Sequence, residues 1–244
     1  MAEKKSYVFQ VRPHHVDFQS NVTLDSLVGF FLGAAERNAD EFGFGLLNLQ
    51  ERNYTWVLSR FVLEMSRMPV DTELLRIETW IQDVNVTFTT RVMQVSDESG
   101  QVIGHASTSW AMLDMDTRQS VLLNTIPELN AYRVGDDIPL GVPTRIPNVK
   151  GEIENTFKVK YSDIDINRHA NTMHYIQWIE DCFSIDYYAG HRLKRFEINF
   201  LRELVFGDGG DVYRETKAEN DFLFQIVAHE KGKVCRARML FEEI

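Results

Sequence analysis

The stretch "FKVKYSDIDINRHANTMHYIQW" at residues 157–178 has a near-copy at residues 9–30, which is "FQVRPHHVDFQSNVTLDSLVGF". Each copy begins with a short alternating run, passes through a polar turn and continues into a run of helical character. Asp17 of the first copy corresponds to Asp165 of the second. This shared order, with a polar residue kept at the same place, predicts that the chain contains two copies of one α+β unit.

The segments that follow each copy also repeat. Residues 59–79 and 194–216 both predict a strand, a tight turn with an aspartate and a second strand, whereas residues 86–114 and 221–243 both predict a β-hairpin. Each half is therefore expected to hold a strand, a helix of about 17–20 residues and roughly four antiparallel strands. One apolar helix buries its face most simply inside one curved sheet. We predict an α+β fold of two tandem hot-dog domains, each an antiparallel sheet wrapped around a central helix.

A proline-rich segment separates the two copies. Four of the six prolines fall within residues 126–152, where the apolar residues follow no clear period. Such composition is typical of a connection between folded units. The predicted boundaries are an N-terminal domain at 1–125, a linker at 126–152 and a C-terminal domain at 153–244.

Composition narrows the class of protein. The chain has 244 residues, 44% of them apolar, and a net charge of −10, which disfavours a general nucleic-acid binder because phosphate binding needs a basic surface. The two cysteines have neither disulfide-framework nor zinc-site spacing, so a reducing cytoplasm is expected. The N-terminus lacks the apolar run of a secretory signal, and the longest apolar stretch, residues 27–35, is too short to span a bilayer.

The second copy carries the more reactive polar residues. Asp165, Asn167 and His169 alternate along the chain, so in an extended segment their side chains would face one side, just ahead of the predicted helix. The first copy has Asn21 where the second has His169, and so lacks an imidazole there. Imidazole is the side chain best suited to moving protons near neutral pH. The expected chemistry therefore belongs to the second half.

The segments after the helix also differ between the two copies, and again only the second copy has the titratable residue. Glu203 of the second half aligns with Met68 of the first. Each polar residue alone has an ordinary explanation, since Asp and Asn form turns and helix caps and a single His or Glu is commonly solvated. Their coincidence in one copy indicates a working site. The N–H groups at the start of the adjoining helix could bind the oxyanion that forms when water attacks an acyl carbon.

The stretch "SDIDINRHANTMHYIQWIED" resembles the D-x-D-x-N-x-H-x-N-N motif of acyl-acyl carrier protein thioesterases, plant and bacterial proteins with two hot-dog halves. In that family the second Asp, the Asn and the His of the motif are catalytic, which implies this role for Asp165, Asn167 and His169. "LREL" at 201–204 is similar to the family's R-R-E-C stretch, which implies a catalytic role for Glu203.

Two positions depart from the family pattern. Thr172 replaces the last Asn of the motif, and Leu204 replaces the Cys of the R-R-E-C stretch. A cysteine-nucleophile mechanism therefore has no nucleophile at that place. The resemblance implies hydrolysis of acyl-acyl carrier protein to free fatty acid, without a metal or other cofactor, and with the N-terminal domain holding the acyl chain and the C-terminal domain catalytic.

The expected mechanism divides the work among four residues. Glu203 with Asp165 would activate water, while His169 and Asn167 would position the thioester and stabilise the oxyanion. Whether Asp165 is instead a nucleophile that forms an anhydride stays open. Two other functions also stay open, an acyl-CoA thioesterase of the same fold and a non-catalytic acyl-binding hot-dog protein.

The implied partner is an acidic acyl carrier protein that delivers a fatty acyl thioester, with no nucleic acid and no stable membrane insertion. Because the chain itself is acidic, a local basic face is expected to meet the carrier. The candidates are Arg192, Lys194, Arg195 and Arg202, although ordinary solvated charges explain them equally well. A homodimer also stays open.

The first-half helix offers candidates for acyl-chain binding. Gly33 and Ala34 are small and could leave space beside the helix, with Met65 and Met68 on the facing strand and Asn171 at the mouth. The alternative is that the small residues only allow close packing of helix on sheet.

Overall fold

A computed structural model describes residues 3–244, and ten strands of this part of the chain form one continuous antiparallel sheet. Most strands run 8 to 13 residues, long enough to curve around a helix. Their bounds are β1 Lys5–Gln10, β2 Tyr54–Met65, β3 Leu74–Val84, β4 Thr89–Ser96, β5 Val102–Asp114, β6 Glu152–Lys158, β7 His191–Phe200, β8 Gly209–Ala218, β9 Asp221–Ala228 and β10 Gly232–Glu243.

Four α-helices accompany the sheet within residues 3–244. They are α1 Leu24–Glu41, α2 Leu46–Gln50, α3 Thr172–Glu180 and α4 Ile185–Gly190. The long helix α1 buries a stripe that includes Leu27, Phe31 and Ala34 against the sheet, as an amphipathic helix must. It ends where Gly43 takes a φ of 75°, a left-handed conformation that stops a helix and that glycine adopts without steric cost. None of the helices in this part of the chain combines the length and hydropathy needed to cross a membrane.

The strand order repeats the duplication of the sequence. The order is β1-β3-β4-β5-β2-β7-β10-β9-β8-β6, so the second half presents its strands in the reverse spatial order of the first. The two halves meet at β2 and β7. Each half has one strand, its helices and four further strands, which confirms the predicted α+β double hot-dog fold. The hairpins predicted at 86–114 and 221–243 are β4–β5 and β9–β10.

At the junction between the halves, β2 and β7 pair so that equivalent residues of the two copies lie symmetrically about its centre. Across it, Arg60 pairs with Asn199 and Glu64 pairs with Arg195, around a central pair of Val62 and Glu197. An alignment that equates Arg60 with Arg195 also equates Val62 with Glu197, so equivalent residues lie opposite each other at the centre. The junction is therefore an approximate twofold axis through the molecule.

The second half departs from prediction in its helix. The expected helix of about 17–20 residues is two short helices, α3 of 9 residues and α4 of 6 residues. Ser184 begins α4, because its side chain accepts a hydrogen bond from the Tyr187 N–H at 3.1 Å, and the guanidinium of Arg214 donates to the Cys182 carbonyl at 2.9 Å. Cys182 consequently lies in the break between the helices and not inside one helix.

The segment between the halves is packed against both of them. Residues Pro127–Tyr132 form a 3₁₀ helix, and Leu129 is fully buried. Further on, the Ile146 N–H donates to Asn199 Oδ1 at 2.8 Å, and Arg236 donates to the Ile146 carbonyl at 3.0 Å. This segment, predicted as a linker, is held by defined contacts.

Candidate active site

The loop before α3 has the same conformation as the loop before α1. In each, the N–H of the aspartate donates to a carbonyl four residues ahead at 2.8 Å, and the aspartate Oδ1 accepts two backbone N–H bonds. Asp165 Oδ1 binds the amides of Asn167 at 2.8 Å and His169 at 3.1 Å, and Asp17 does the same in its own copy. The prediction of an extended segment is therefore wrong. Aspartate closes this loop into a turn because its carboxylate can bind backbone amides two and four residues ahead.

The left-handed residues in the two loops also match. Arg168 has a φ of 64° and Ser20, its equivalent, a φ of 65°. Since the copy with Asn21 in place of His169 carries the same unusual backbone, this conformation belongs to the loop fold and not to catalysis.

The loop places His169 beside Glu203. His169 Nε2 lies 3.4 Å from Glu203 Oε2, and both side chains are partly exposed, at 28% and 37%. Glu203 lies just after β7, in the segment from which the Leu204 carbonyl accepts the Ala170 N–H at 2.8 Å. That hydrogen bond ties the two segments together and sets the distance between imidazole and carboxylate.

A residue from the first half completes this cluster. The guanidinium of Arg118 forms a salt bridge with Glu203 Oε2. Arg118 follows β5 in the turn 115–119 and has a φ of 57°. Sequence reasoning missed it, because a turn residue far away in the chain carries no pattern that links it to Glu203. The site therefore contains groups from both halves.

The amides that start α3 lie at the same place. Asn171 caps the helix, with its Oδ1 accepting the Met173 N–H at 3.0 Å. Asn167, Asn171, Thr172 and Met173 all line one end of a cavity. His169 belongs to the loop between Asn167 and Asn171, although neither it nor Glu203 lines the cavity, and Asp165 holds the loop that carries Asn167 and His169.

The cavity, of about 450 Å³, is built mainly by the first half. Helix α1 lines it with Gly29, Leu32, Gly33 and Glu36, whose spacing is that of one helix face. The sheet closes it with Trp56 and other residues, which include Thr55, Ile81, Thr89, Arg91 and Trp110. A space of this size suits one ligand of the size of a small molecule or an acyl chain.

The predicted acyl-chain residues divide between cavity and core. Gly33 and Asn171 line the cavity. Ala34 is fully buried on the core side of α1, and Met65 is buried in the core at the end of β2. Met68 lies beyond β2 and lines a different cavity. Neither methionine lines the cavity beside Gly33, because the side chain of Met65 packs into the core and Met68 lies beyond the end of β2.

A second cavity, of about 510 Å³, occupies the twofold-related position. It lies between the first-half loop, with Asp17 and Asn21, and the helices α3 and α4. Asn21 and Met68 line it at the positions that correspond to His169 and Glu203, so it has no counterpart of the His169–Glu203 pair. Glu180 lines it and accepts the Leu24 N–H at 3.1 Å, and burial together with the charge of Asp25 raises the pKa of Glu180 to about 8.

The four predicted carrier-binding residues differ in their surroundings. Arg192 and Lys194 both contact Glu242, and Arg195 binds Glu64 at 2.5 Å and Glu197 at 2.8 Å. Arg202 makes no salt bridge with the residues that the structure describes, and it is next to Glu203.

Neither cysteine is placed or poised to be a nucleophile. Both thiols are free and buried. Burial raises the pKa of Cys182 to about 12 and raises that of Cys235 further still, so both are protonated at neutral pH. Leu204, at the family's Cys position, is itself fully buried.

Comparison with known families matches nearly the whole chain. The acyl-ACP thioesterase N-terminal domain matches residues 3–128, and the acyl-ACP thioesterase C-terminal domain matches residues 147–243. Among curated proteins, the oleoyl-acyl carrier protein thioesterase 2 of Arabidopsis thaliana is 24% identical over 89% of this chain and 64% of its own length. The chain thus spans somewhat less than two thirds of that relative.

Solved structures agree over the whole length. An acyl-ACP thioesterase from Bacteroides thetaiotaomicron is 36% identical, with a TM-score of 0.91 over 98% of each chain. The 12:0-ACP thioesterase from Umbellularia californica is 16% identical and shares the fold, with a TM-score of 0.88 over 99% of this chain and 98% of its own.

Proposed function

Because the chain belongs to the acyl-ACP thioesterase family, we propose that it hydrolyses the thioester between a fatty acyl group and an acyl carrier protein. The products are free fatty acid and the carrier's thiol. The observation that carries this proposal is the pair of His169 and Glu203, whose loop contributes Asn167 and Asn171 to a cavity built mainly by the other half. Hydrolysis needs both parts, a proton-accepting group for water and a slot that holds the acyl chain.

In the proposed reaction, Glu203 takes a proton from water, and the water oxygen attacks the thioester carbon. The carbonyl oxygen becomes an oxyanion, for which Asn167 and the Thr172 N–H at the start of α3 are the donors. The C–S bond then breaks as the carbonyl re-forms, and His169 supplies a proton to the departing sulfur. The proton that Glu203 took from water passes to His169 across their 3.4 Å contact, which restores both groups. Arg118 holds the Glu203 carboxylate toward His169.

Asp165 has a supporting part in this scheme. Its Oδ1 is occupied by two backbone amides, and its Oδ2 makes no hydrogen bond with the described residues and is free to help orient the water. A covalent route through an Asp165 anhydride is the alternative. A single turnover in H₂¹⁸O detects an anhydride that water opens at the aspartyl carbon: this route labels Asp165 and releases unlabelled fatty acid, whereas direct attack on the thioester labels the fatty acid and leaves Asp165 unlabelled.

We place carrier docking around the mouth of the site. Arg202 is free of carboxylate partners among the described residues, and Arg168 and Lys160 lie on the adjoining loop, both exposed and without a salt bridge there. Exposed apolar side chains accompany them, with Ile166 at 82% and Phe206 at 69%. The basic side chains would attract an acidic carrier, and the apolar side chains would pack against it. Arg192, Lys194 and Arg195 are already neutralised by Glu242, Glu64 and Glu197, so we assign them no docking role.

The docking surface has its own test. Arg168→Glu and Arg202→Glu should raise KM about tenfold for the acyl carrier protein substrate and leave hydrolysis of a small acyl thioester unchanged. The matched controls Arg192→Glu and Lys194→Glu should change neither rate. Equal effects of all four substitutions would contradict the assignment.

The experiment for the function itself measures thiol release. Acyl carrier protein and CoA thioesters of the same acyl chain are compared for kcat/KM, and the carrier thioester should be preferred. A preference for CoA would favour an acyl-CoA thioesterase of the same fold. No release from either would favour a non-catalytic acyl-binding protein, although acyl binding alone would not require the His169–Glu203 pair. We also place the enzyme in the cytoplasm, where its two buried thiols stay reduced.

A further inference from the structure

The acyl cavity contains a charged group that a purely hydrocarbon ligand does not need. Arg91, on β4, lines the cavity and is only 7% exposed. It forms no salt bridge with the residues that the structure describes. Burial lowers the pKa of Arg91 to about 10, so the guanidinium still carries its charge at neutral pH. A buried arginine without a carboxylate is costly unless its N–H groups find acceptors.

Only part of this guanidinium has protein partners. Arg91 Nη1 donates to Asn38 Oδ1 at 2.5 Å and to Thr79 Oγ1 at 3.2 Å. Asn38 is fully buried on α1 and is itself fixed by donating to the Tyr7 hydroxyl at 3.3 Å. Nε and Nη2 make no hydrogen bond with residues 3–244. Asn38, Thr79 and Tyr7 therefore hold one edge of the guanidinium while the other edge is available to the cavity.

The fold does not require an arginine at this position. In the first half, Arg91 pairs with Thr108, and Thr108 pairs with Phe61. The equivalent ladder of the second half starts at Phe196, the counterpart of Phe61 across the junction. There Phe196 pairs with Met239, and Met239 pairs with Phe222. Phe222 is an ordinary core residue, so the same place in the other half is apolar.

We propose that this cavity accepts an acyl chain bearing an oxygen atom, a hydroxyl or keto group, that hydrogen-bonds to the free edge of Arg91. The inference rests on the proposed thioesterase function and adds the class of acyl chain. A guanidinium has only donors, so its ligand must supply an acceptor. A methylene chain laid against Nε and Nη2 would exclude water from them and give nothing in return. Thr89 lines the same cavity and can add a further polar contact to the oxygen.

Matched substrates test the proposal. Carrier thioesters of one chain length are prepared with a plain chain and with a hydroxyl or keto group at successive carbons. At one position the oxygenated chain should exceed the plain chain in kcat/KM by about tenfold or more, the effect of a hydrogen bond to a charged group. Arg91→Met, which keeps the length of the stem and removes the donors, should abolish or reverse that preference. Arg91→Lys should retain part of it.

The outcomes separate this inference from the proposed function. Turnover of plain chains with no preference at any position overturns the inference and leaves the thioesterase intact. If Arg91→Met keeps the wild-type preference, Arg91 is a structural residue and the inference is equally wrong. If no thioester is hydrolysed, the proposed function fails, and the inference about Arg91 is then tested by measuring ligand binding.

Binding is measured through the tryptophans that line the cavity, Trp56 and Trp110. Plain and oxygenated fatty acids of equal length are titrated while tryptophan fluorescence is followed, without any catalytic step. Tighter binding of one oxygenated isomer by the wild type, lost in Arg91→Met, supports the inference. Equal binding of all isomers by the wild type overturns it. Thermal unfolding of Arg91→Met confirms that the variant is folded in either experiment.

Discussion

His169 and Glu203 can exchange protons with water, whereas their counterparts Asn21 and Met68 cannot. We therefore expect His169→Ala and Glu203→Ala to lower kcat by about 100-fold or more, the usual contribution of a general acid–base or oxyanion group. Asn21→Ala and Met68→Ala are the matched controls from the other half and should lose less than about threefold. Steady-state kinetics on a carrier thioester measures all four. Similar losses in both halves would contradict the assignment of catalysis to the second half.

We expect Arg118 to affect the reaction through its salt bridge with Glu203. Arg118→Ala removes the guanidinium that holds the carboxylate, so kcat should fall by about tenfold while KM for the acyl substrate changes little, since one hydrogen bond to a charged group is lost. Arg118→Lys should recover part of kcat. Arg52→Ala, which removes an exposed pair with Glu128, is the control and should have no effect. A change confined to KM would instead place Arg118 in substrate binding.

We expect helix α1 to limit the length of the bound acyl chain with the face that carries Gly29 and Gly33, because both residues line the cavity. A Cβ at Gly29 meets nothing within 4 Å, so the side chain of Gly29→Leu would project into the cavity. We expect the preferred chain to shorten, with selectivity changing about fivefold per carbon because each methylene contact contributes roughly 1 kcal/mol. Rates on a series of chain lengths give the profile.

Ala34, on the opposite face of α1, is the control for Gly29. It is fully buried in the core, so Ala34→Leu should lower the melting temperature through overpacking and leave the chain-length profile unchanged. If Ala34→Leu shifted the profile and Gly29→Leu did not, the assignment of the helix faces would be wrong.

The stability of the folded protein should depend on pH through Glu180, the last residue of helix α3. The pKa of Glu180 is raised to about 8 by burial and by the nearby charges of Asp25 and Asp181, so the folded protein binds this proton more tightly than the unfolded chain, where the pKa is near 4.5. The resulting stability is fully present below about pH 4.5 and is lost as the pH rises through about 8. Glu180→Gln keeps an acceptor for the Leu24 N–H and removes the titration.

Thermal unfolding at several pH values tests this expectation. Between pH 5 and pH 9 the melting temperature of the wild type should fall more steeply than that of Glu180→Gln. Parallel pH profiles for the two proteins would show that Glu180 titrates with its ordinary pKa.

Because one continuous sheet runs through both halves, we expect them to unfold together. Phe61 and Phe196, equivalent residues on β2 and β7, are both fully buried, with ring centroids 6.5 Å apart across the junction. Phe196→Ala should cost about 3–5 kcal/mol and lower one shared transition, measured by calorimetry. Two separate transitions in the wild type would show that the halves are independent units, since a cooperative domain gives one.

The duplication, the order of strands and helix along each half and the polar turn ahead of the helix were predictable from the sequence, because repeated periodicity and repeated polar positions are local patterns. Arg118 and Arg91 were not. Arg118 reaches Glu203 only through the packing of one half on the other, and Arg91 appears in the sequence simply as one charge in a strand. The turn of Asp165 was missed because alternation alone does not distinguish a strand from a loop closed by a carboxylate. The length of α3 was missed because Ser184 can cap a new helix within a continuous helical pattern.

The two equivalent halves pair at β2 and β7 and are also joined covalently through residues 115–151, and the covalent link has a genetic consequence. In a dimer of identical half-chains, one mutation appears in both cavities, so a change that widened one cavity would widen the other. In this chain Arg91 could arise in one half while Phe222 stayed in the other, and Asn21 could stand where the other half keeps His169. Each half can therefore be selected for its own task, while the shared sheet ensures that both are inherited and folded as one protein.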